Sequence, residues 1–403
     1  MATAPADRRA RVAVSVLFLT NGAIFANLLP RYPEIKATLQ TSNTLFGLSV
    51  AAFPAGALIS GLAAGGLIRR FTSARVAVLS SLVIAVFTLV AGTAPVAWAF
   101  ALAMFVAGAG DSLTDVAQNA HALRLQRSYG RSIINSLHAL WSVGAVLGGA
   151  MGSAAIALGV GITTQLAVSG LAFGLLCLFS YRYLLPGPDH DESPGAAKRA
   201  ADAGGQRRLV IYGVLMVLAV LAIAGAAVED AGQSWATLYL HENLGAPAAL
   251  AGFGFIALVG AQFVGRMLGD RLVDKFGERN VARAGGLLTA AGMGLALAFP
   301  SLPGTIVGFA AAGFGVATVV PAAFHAADNV RGLPPSAGLT VVTWLMRVGF
   351  LGAPPLVGAV ADATSLRLGL VIVPVAGVVI MLAASVLAPR KLPQVSASSP
   401  EPR

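Results

Sequence analysis

Charged residues are scarce in this chain. Asp, Glu, Lys and Arg make up 11% of its 403 residues, against roughly a quarter in soluble domains. Hydrophobic residues make up 57%, so a soluble fold of this length would leave a large apolar surface in water. This imbalance excludes an ordinary soluble protein and indicates a chain that uses lipid as part of its solvent.

Several chemical signals are also missing. Cys177 is the single cysteine, which excludes an internal disulfide and a cysteine-based metal site. The five histidines lack metal-ligand spacing, and no Gly-x-x-x-x-Gly-Lys-Ser/Thr loop is present to bind ATP. No pairing of a nucleophile with a base is evident either. We therefore predict that the protein is not an enzyme and needs no metal and no cofactor.

Twelve hydrophobic segments occupy most of the chain, and each approaches the 20 or so residues that a spanning helix needs. We predict an all-α membrane protein with one six-helix bundle in residues 1–185 and another in 209–390. The polar stretch 186–208 is predicted to be a cytoplasmic linker, and residues 391–403 a disordered tail. The predicted helices are 11–33, 44–68, 75–94, 96–124, 133–157, 161–185, 209–240, 247–270, 280–299, 303–327, 336–362 and 366–388.

The two halves resemble each other. Residues 47 to 151 recur faintly 205 positions later, so that Gly47 falls on Gly252 and Phe71 on Phe276. Glycines of the fourth and fifth segments recur at the same offset. Two bundles that are built on one plan and face the same way are the hallmark of a large transporter class.

The basic residues follow the topology. A net charge of +10 would suggest nucleic acid in a soluble protein, but 23 of the 27 Lys and Arg fall on the loops of one side. This set includes Arg266, which we assign to the loop after the eighth helix. The positive-inside rule predicts that both termini are cytoplasmic. We expect no nucleic-acid partner, and the excess of Arg over Lys, 23 to 4, favours a bacterial inner membrane.

Two loops carry copies of one pattern. Residues 270–279 read Asp-Arg-Leu-Val-Asp-Lys-Phe-Gly-Glu-Arg, and residues 65–72 read Gly-Gly-Leu-Ile-Arg-Arg-Phe-Thr. Both resemble the cytoplasmic motif Gly-x-Leu-x-Asp-Arg-x-Gly-Arg-Arg of the major facilitator superfamily. The first copy keeps Gly65 but has Arg69 at the acid position. The second keeps Asp274 and Gly277 but has Asp270 in place of the first glycine.

The resemblance implies a gating role for these loops. In the family, the acid lies near the N-terminus of a neighbouring helix, whose dipole favours negative charge, and basic residues bind acids of adjacent helices. A plain positive-inside loop is the alternative, and it fits Arg69 and Arg70 well. The predicted gate residues are Gly65, Arg69, Arg70, Asp270, Arg271, Asp274, Lys275, Gly277 and Arg279.

Three further segments narrow the resemblance. The stretches 349–362, 229–240 and 138–144 resemble the eleventh, seventh and fifth helices of the sugar-permease-like bacterial branch, which includes fucose permease. Membership implies uptake of a small polar, sugar-like solute by alternating access. Drug antiporters of the superfamily carry Gly-Pro-x-x-Gly-Gly in the fifth helix, where this chain has Gly144 and Ala145. The missing proline disfavours efflux of a drug or metabolite, which remains the alternative.

Carboxyl groups at membrane depth are costly and point to function. Asp111 and Asp115 lie on the fourth helix, near the midplane, where desolvation favours the protonated form. The resemblance implies a proton-carrying carboxyl on this helix and a second acid on the first helix, where this chain has Asn21 instead. Glu229 and Asp230 on the seventh helix are further candidates for proton coupling. Static pairing of these acids with Arg347 is the alternative.

Arg347 is predicted to lie about 16 Å deep in the membrane, because it is about 11 residues into the eleventh helix and each residue adds about 1.5 Å. It is predicted to be the one basic residue at that depth. It could bind an anionic group of the substrate or balance the acids. Trp235 and Tyr239 could form an aromatic belt at the membrane interface, although Trp235 could also stack on a sugar or close an outer gate. The candidate substrate-binding residues are Asn21, Asn27, Gln118, Asn119, His138, Trp141, Gln233, Trp235, Trp344 and Arg347.

Together these features predict a monomeric, proton-coupled secondary transporter whose partners are a small-molecule substrate, protons and the lipid bilayer. A sensor or scaffold that is built on a transporter fold, and does not transport, is the competing class. Such a protein would not need acids at midplane depth, and flux in proteoliposomes separates the two.

The topology can be tested in the predicted linker. We expect a cysteine introduced by Ser193→Cys to react with an impermeant reagent only from the cytoplasmic side, because basic loops stay inside. Labelling is compared between intact cells and inverted vesicles. Reaction in intact cells would overturn the assignment of the termini.

Overall fold

The computed structural model describes residues 5–129, 133–187, 205–330, 333 and 337–387. Within these ranges the chain forms helices and no strands, and 12 helices are long and apolar enough to cross a membrane. The predicted twelve-helix architecture is therefore confirmed. Residues 205–208, which were assigned to the linker, begin the seventh helix. Residues 188–204 of the predicted linker and the predicted tail 391–403 lie outside the described residues.

The first half contains helices α1 to α6. α1 runs past its predicted end because a 3-10 turn that contains Pro30 joins it to a short second piece. The bounds are α1 (Pro5–Ala26, continued by Leu29–Arg31 and Tyr32–Leu39), α2 (Asn43–Phe71), α3 (Ser73–Gly92), α4 (Ala97–Tyr129), α5 (Ile134–Ala157) and α6 (Ile162–Tyr181).

The second half contains helices α7 to α12. α10 and α12 are interrupted within the span, and α7 ends in a π turn. The bounds are α7 (Gly205–Leu238, continued by Tyr239–Asn243), α8 (Ala248–Ala251 and Phe253–Phe276), α9 (Glu278–Ala298), α10 (Leu302–Val316 and Val319–Asp328), α11 (Ala337–Ala363) and α12 (Leu366–Gly369, Ile372–Ala383 and Ala384–Val386).

The internal repeat is visible in how the helices cross. A Cβ added at Gly108 on α4 would lie 2.0 Å from the carbonyl oxygen of Phe53 on α2. A Cβ at Gly313 on α10 would lie 2.0 Å from that of Leu258 on α8. Gly313 lies 205 positions after Gly108, and Leu258 lies 205 positions after Phe53. Each half thus uses a glycine at the same point to bring two helix backbones into contact, as small residues do in lipid.

The two halves meet at one end of the molecule, which we call the far end and define by the turns 40–42, 158–161, 244–247 and 364–365. There α2 approaches α11, where a Cβ at Gly47 would lie 2.5 Å from the carbonyl oxygen of Pro354. Similarly α8 approaches α5, where a Cβ at Gly252 would lie 2.2 Å from the Ser153 hydroxyl. These two crossings close the far end.

The opposite end is called the terminal end, because α1 begins and α12 ends there. Along α2 the residues toward this end, including Gly65, Gly66 and Arg69, are exposed. Along α11 the corresponding stretch is also poorly covered, and Trp344 is 43% exposed. The halves therefore separate below the far-end crossings and leave a cleft that opens at the terminal end.

One turn is strained in one half and relaxed in the other. Thr72, between α2 and α3, has φ 77° and ψ 150°, and Gly277, between α8 and α9, has φ 80° and ψ 151°. Only glycine adopts this region readily, and another residue pays about 1–3 kcal/mol to remain there. The Thr72 side chain makes no capping hydrogen bond that would offset this strain.

We expect Thr72→Gly to stabilise the fold by about 1 kcal/mol, since it removes that strain and no capping bond is lost. Gly277→Ala is the matched variant and should destabilise it by a similar amount. Thermal unfolding of the purified proteins at one scan rate compares the two. A lower unfolding temperature for Thr72→Gly would show that the turn is not strained.

Candidate functional site

The N-terminal half lines the cleft with carboxyl groups from α4. The side chain of Asn21, on α1, hydrogen-bonds the Asp111 carboxyl. One turn along, Asn119 Nδ2 donates to Asp115 Oδ1 over 2.9 Å, and Asn119 Oδ1 lies 3.1 Å from Nε2 of His138 on α5. Asp115 and His138 are exposed to the cleft although both lie within membrane-spanning helices. The structure thus joins five of the predicted site residues through three polar contacts.

Two other predicted residues of this half are buried. Gln118 is fully buried beside the Asp115 carboxyl. Asn27 is also buried, where its Nδ2 donates to the Ala23 carbonyl and its Oδ1 accepts from Gln165 Nε2. The structure places Asn27 inside the N-terminal bundle and away from the cleft, because the turn after α1 directs it there.

The buried guanidinium of Arg31 was not foreseen. It is 4% exposed and donates to Gln165 Oε1, to Glu34 Oε2 and to the Val160 carbonyl. Arg31 is therefore a paired structural cation near the far end. Its proximity in sequence to Glu34, three residues on, was the available signal.

The C-terminal half contributes a second polar cluster, centred on Glu229 of α7. Its carboxylate accepts from Gln233 Nε2 at 3.1 Å and from Gln262 Nε2 at 2.9 Å, and Arg266 lies 3.8 Å away. The assignment of Arg266 to the loop after α8 is wrong, because α8 continues to Phe276 and places this arginine within the span. Its position 19 residues into the predicted helix 247–270 was the missed signal.

Arg347 of α11 reaches across to the N-terminal half. Its guanidinium approaches Gly61 of α2 and Ser112 of α4. A Cβ added at Gly61 would lie 3.0 Å from Arg347 Nη1 and 3.2 Å from the Ser112 hydroxyl. Arg347 acts electrostatically on Asp115, but no salt bridge joins it to any described acid. Static pairing with an acid is thus not seen in this conformation. The prediction that Arg347 is the one basic residue at this depth is wrong, because Arg266 shares it.

The charges of the two walls break the internal symmetry. At an offset of 205, Arg266 corresponds to Gly61 and Arg347 to Ser142, whereas Val316 and Val320 correspond to the α4 acids. The acids of α4 therefore line the N-terminal wall, whereas the C-terminal wall carries Arg347 and the Glu229–Arg266 pair. A polar solute between the walls would meet hydrogen-bond acceptors on one side and donors on the other.

Aromatic residues fill the far end. Trp235 and Tyr239 of α7 are 0% and 1% exposed, so the aromatic-belt interpretation is wrong for both. Trp235 packs edge-on against Phe46 of α2, with ring centroids 6.2 Å apart, and Phe46 stacks on Phe100 at 5.7 Å. Trp235 thus lies between the halves, as the outer-gate alternative requires.

Asp230 lies in the same closed region. It is 7% exposed, and Ser234 Oγ lies 3.3 Å from its Oδ1. Its Oδ2, the Trp235 Nε1 and the Tyr239 hydroxyl have no partner among the described residues. Leaving such groups unpaired costs about 1–3 kcal/mol each, so far-end closure is achieved against an unfavourable contribution from these groups.

The gate-motif residues are separated from the other half. Asp274, Asp270 and Arg271 are exposed, and Asp274 forms no hydrogen bond or salt bridge with any described residue. The two basic positions behave alike, since Arg70 lies 5.4 Å over Phe71 and Lys275 5.2 Å over Phe276. Arg279 donates to the carbonyl of Leu387 at the end of α12. These loops make no closing contact while the terminal end is open.

Trp141 and Trp344 lie at the edges of the cleft. Trp141 is half-buried and packs on hydrophobic residues of the N-terminal bundle, and a Cβ at Gly22 would lie 2.1 Å from its carbonyl oxygen. Trp344 precedes Arg347 by one turn and is exposed. Packing therefore accounts for part of Trp141, and the exposed face of Trp344 is free for a solute.

Solved structures share this fold at low sequence identity. A D-xylose–proton symporter superposes with a TM-score of 0.70 at 16% identity and covers 94% of this chain and 96% of its own. A bacterial homologue of the human lysosomal transporter Spinster, inward-facing and occupied, gives 0.71 at 15%, with 96% and 97% covered. The transporter FucP in its outward conformation gives 0.59 at 18%, with 93% and 97% covered.

Sequence comparisons identify the family. The chain is 28% identical over 374 residues to the transporter y4wD of Sinorhizobium fredii, covering 93% of this chain and 97% of that one. It is 29% identical over 381 residues to the membrane protein MosC of Rhizobium meliloti, covering 94% and 91%. The model of the Major Facilitator Superfamily matches residues 14–272 and 232–403. The chain therefore belongs to the Major Facilitator Superfamily and is a multi-pass membrane protein.

Proposed function

We propose that this protein is a proton-coupled secondary transporter that moves a small, polar, sugar-like solute across the bacterial inner membrane by alternating access. The observation that carries the proposal is the cleft itself. It exposes Asp115, Asn119 and His138 at membrane depth and faces them with Arg347. Polar and ionisable groups at this depth are costly and are kept where they line a substrate or ion pathway.

The shape of the molecule supports alternating access. Its far end is closed by the α2–α11 and α5–α8 crossings, while the terminal end is open. With cytoplasmic termini, as the basic loops predict, the conformation is inward-facing. The other state would arise when the halves rock around the central cleft.

The chemistry of the walls supports a hydroxyl-rich solute. Carboxylates and amide oxygens accept hydrogen bonds, and Arg347 and the amide nitrogens donate them. Trp344 offers an exposed aromatic face one turn from Arg347. Sugars combine hydroxyl groups with an apolar ring face, which matches this set. Two structural relatives named for this chemistry, the D-xylose–proton symporter and the fucose:proton symporter of E. coli, fit the proposal.

The proton is assigned to the α4 acids. In this conformation Asp115 is exposed to the open cleft, and Asp111 lies one turn away with Asn21 bonded to it. A proton on either group could leave through the terminal end, whereas Asp230 is shut off by the far-end closure. Arg347 lies on α11, in the other half, and brings a positive charge toward these acids. Movement of α11 would therefore couple proton release to the rocking of the halves.

The coupling is tested with Asp111→Asn and Asp115→Asn in proteoliposomes. At the true proton site, the asparagine variant should lose accumulation that is driven by a pH gradient and keep substrate counterflow, because exchange needs no net proton movement. Candidate sugars are first screened by thermal shift, with neutral, amino and acidic sugars compared. Counterflow and pH-driven uptake are then measured side by side.

Each outcome has a clear meaning. If both asparagine variants accumulate substrate like the parent, the proton is carried elsewhere, most simply by Glu229 or Asp230, or the protein is a uniporter. If the parent shows no flux with any candidate, the protein is the sensor-type alternative. Accumulation driven in the opposite direction would establish efflux.

Asp274 is expected to set the gate equilibrium without binding substrate. It has no partner while the terminal end is open, so Asp274→Asn should leave this state intact and weaken the state in which that end is closed. Transport should fall while substrate affinity stays within a few-fold. Binding by thermal shift and transport are measured on the same preparation. Loss of affinity with unchanged gating would assign Asp274 to the substrate site.

A further inference from the structure

We infer that Asp362, the last acidic residue of α11, is a latch that holds the far end closed by capping the N-terminus of α2 in the other half. The carboxylate uses both oxygens. Oδ1 accepts from the backbone nitrogen and from Nδ2 of Asn43, each at 2.9 Å. Oδ2 accepts from the backbone nitrogen of Thr44 at 2.8 Å and from its hydroxyl at 2.6 Å.

The latch completes the first turn of α2. A helix begins with four backbone N–H groups that lack partners within the helix. Here the Ser42 hydroxyl accepts from Leu45, and the Ser42 carbonyl accepts from Phe46. The bond to Phe46 is the first one within the helix, and the N–H groups of Asn43 and Thr44, which no group of α2 binds, donate to Asp362. A residue of the C-terminal half therefore supplies what α2 cannot supply itself, and the negative charge also suits the helix dipole.

A glycine makes this contact possible. Gly358 lies one turn before Asp362, and a Cβ there would be 2.3 Å from the carbonyl oxygen of Asn43. Without a side chain at this position, α11 can lie close enough to α2 for the carboxylate to reach the N–H groups. The second crossing has no equivalent, because Ala157 occupies the position 205 residues before Asp362 and Ala248 the position 205 after Asn43. The latch is thus a single, one-sided device.

An ion pair also joins the halves at the far end, between Lys36 and Glu242. Lys36 Nζ lies 2.8 Å from Glu242 Oε2, with the Lys36 side chain 12% and the Glu242 side chain 35% exposed. This pair joins two long, flexible side chains, and holding both in one geometry costs side-chain entropy. Asp362 also lies at the exposed rim, yet it holds four donors of one rigid helix end with a charged acceptor, which gives stronger bonds. Opposing the latch are the unpaired polar atoms of Trp235, Tyr239 and Asp230, which would gain water if the far end opened.

Opening is measured at the other crossing, so that the readout does not sit on the latch. Ser153 on α5 is 5% exposed and lies against Gly252. Ser153→Cys in a Cys177→Ser background gives a thiol that reacts only when α5 and α8 separate. In purified protein without substrate, we expect Asp362→Asn to raise its alkylation rate about tenfold, since an amide carbonyl can replace only one of the two accepting oxygens.

Two milder variants act on the donor side. Asn43→Pro removes both Asn43 donors and keeps the helix, because proline is favoured at the first helical position and the preceding Ser42 is extended. Thr44→Val removes only the hydroxyl donor. Each should raise the rate by less than Asp362→Asn, and Asn43→Pro by more than Thr44→Val. These variants keep the inference testable if Asp362→Asn folds poorly.

Two controls separate a latch from general loosening. Glu242→Gln, which breaks the partly exposed pair with Lys36 but leaves the amide able to accept from Lys36, should leave the alkylation rate within about twofold of the parent. The second control is Asp362→Asn in a protein that keeps Cys177 and lacks Ser153→Cys. There Cys177, which is fully buried in the N-terminal bundle, should stay unreactive. An unchanged Ser153→Cys rate, an equal rise with Glu242→Gln, or a parallel rise at Cys177 would each overturn the inference. The inference rests on alternating access, but the assay uses no substrate, so it can fail independently of the proposed transport.

Discussion

A charged group in the hydrocarbon layer has to be hydrated, paired or neutral, and this constraint shapes the whole molecule. Arg31 is paired with Glu34 and Gln165, and Glu229 is held by two amides and Arg266. Asp115 and Arg347 form no ion pair with any residue in the described part of the chain, and they lie along the cleft instead. The cleft is therefore a requirement of these side chains as well as a route for a solute.

The repeat provides the scaffold and its differences provide the chemistry. The glycine contacts Gly108–Phe53 and Gly313–Leu258 are equivalent, so both halves pack their helices in the same way. The ionisable residues do not follow the repeat, because the arginines of α8 and α11 correspond to Gly61 and Ser142. Symmetric packing allows the halves to rock, and the asymmetric charges give the two walls different roles toward a bound solute.

The closed end combines close packing with unsatisfied groups. Gly47 and Gly358 let backbones meet, and Gly252 makes room for the Ser153 side chain. These contacts maximise dispersion in a medium where the hydrophobic effect between helices is absent. Buried polar atoms of Trp235 and Tyr239 without partners act in the opposite direction. In the proposed alternating-access cycle, such a balance would keep the closed state from being too deep a minimum, so that a single capping carboxylate at Asp362 could affect the equilibrium between states.

Composition and periodicity were sufficient for the architecture. Hydrophobic length is fixed by the thickness of the bilayer, so twelve spans and two halves could be predicted, and the offset of 205 located equivalent residues such as Thr72 and Gly277. The spacing of Asp111, Asp115 and Asn119 likewise follows from the helix repeat. What the sequence could not supply was the contact between halves. Whether Trp235 faces lipid or another helix, whether Asn27 faces the cleft, and whether Arg266 lies in a loop or a span depend on how distant helices pack. The same holds for Asp362, which reads as the polar end of a helix until the fold brings it to Asn43, 319 residues away, because only tertiary packing places one helix end on another.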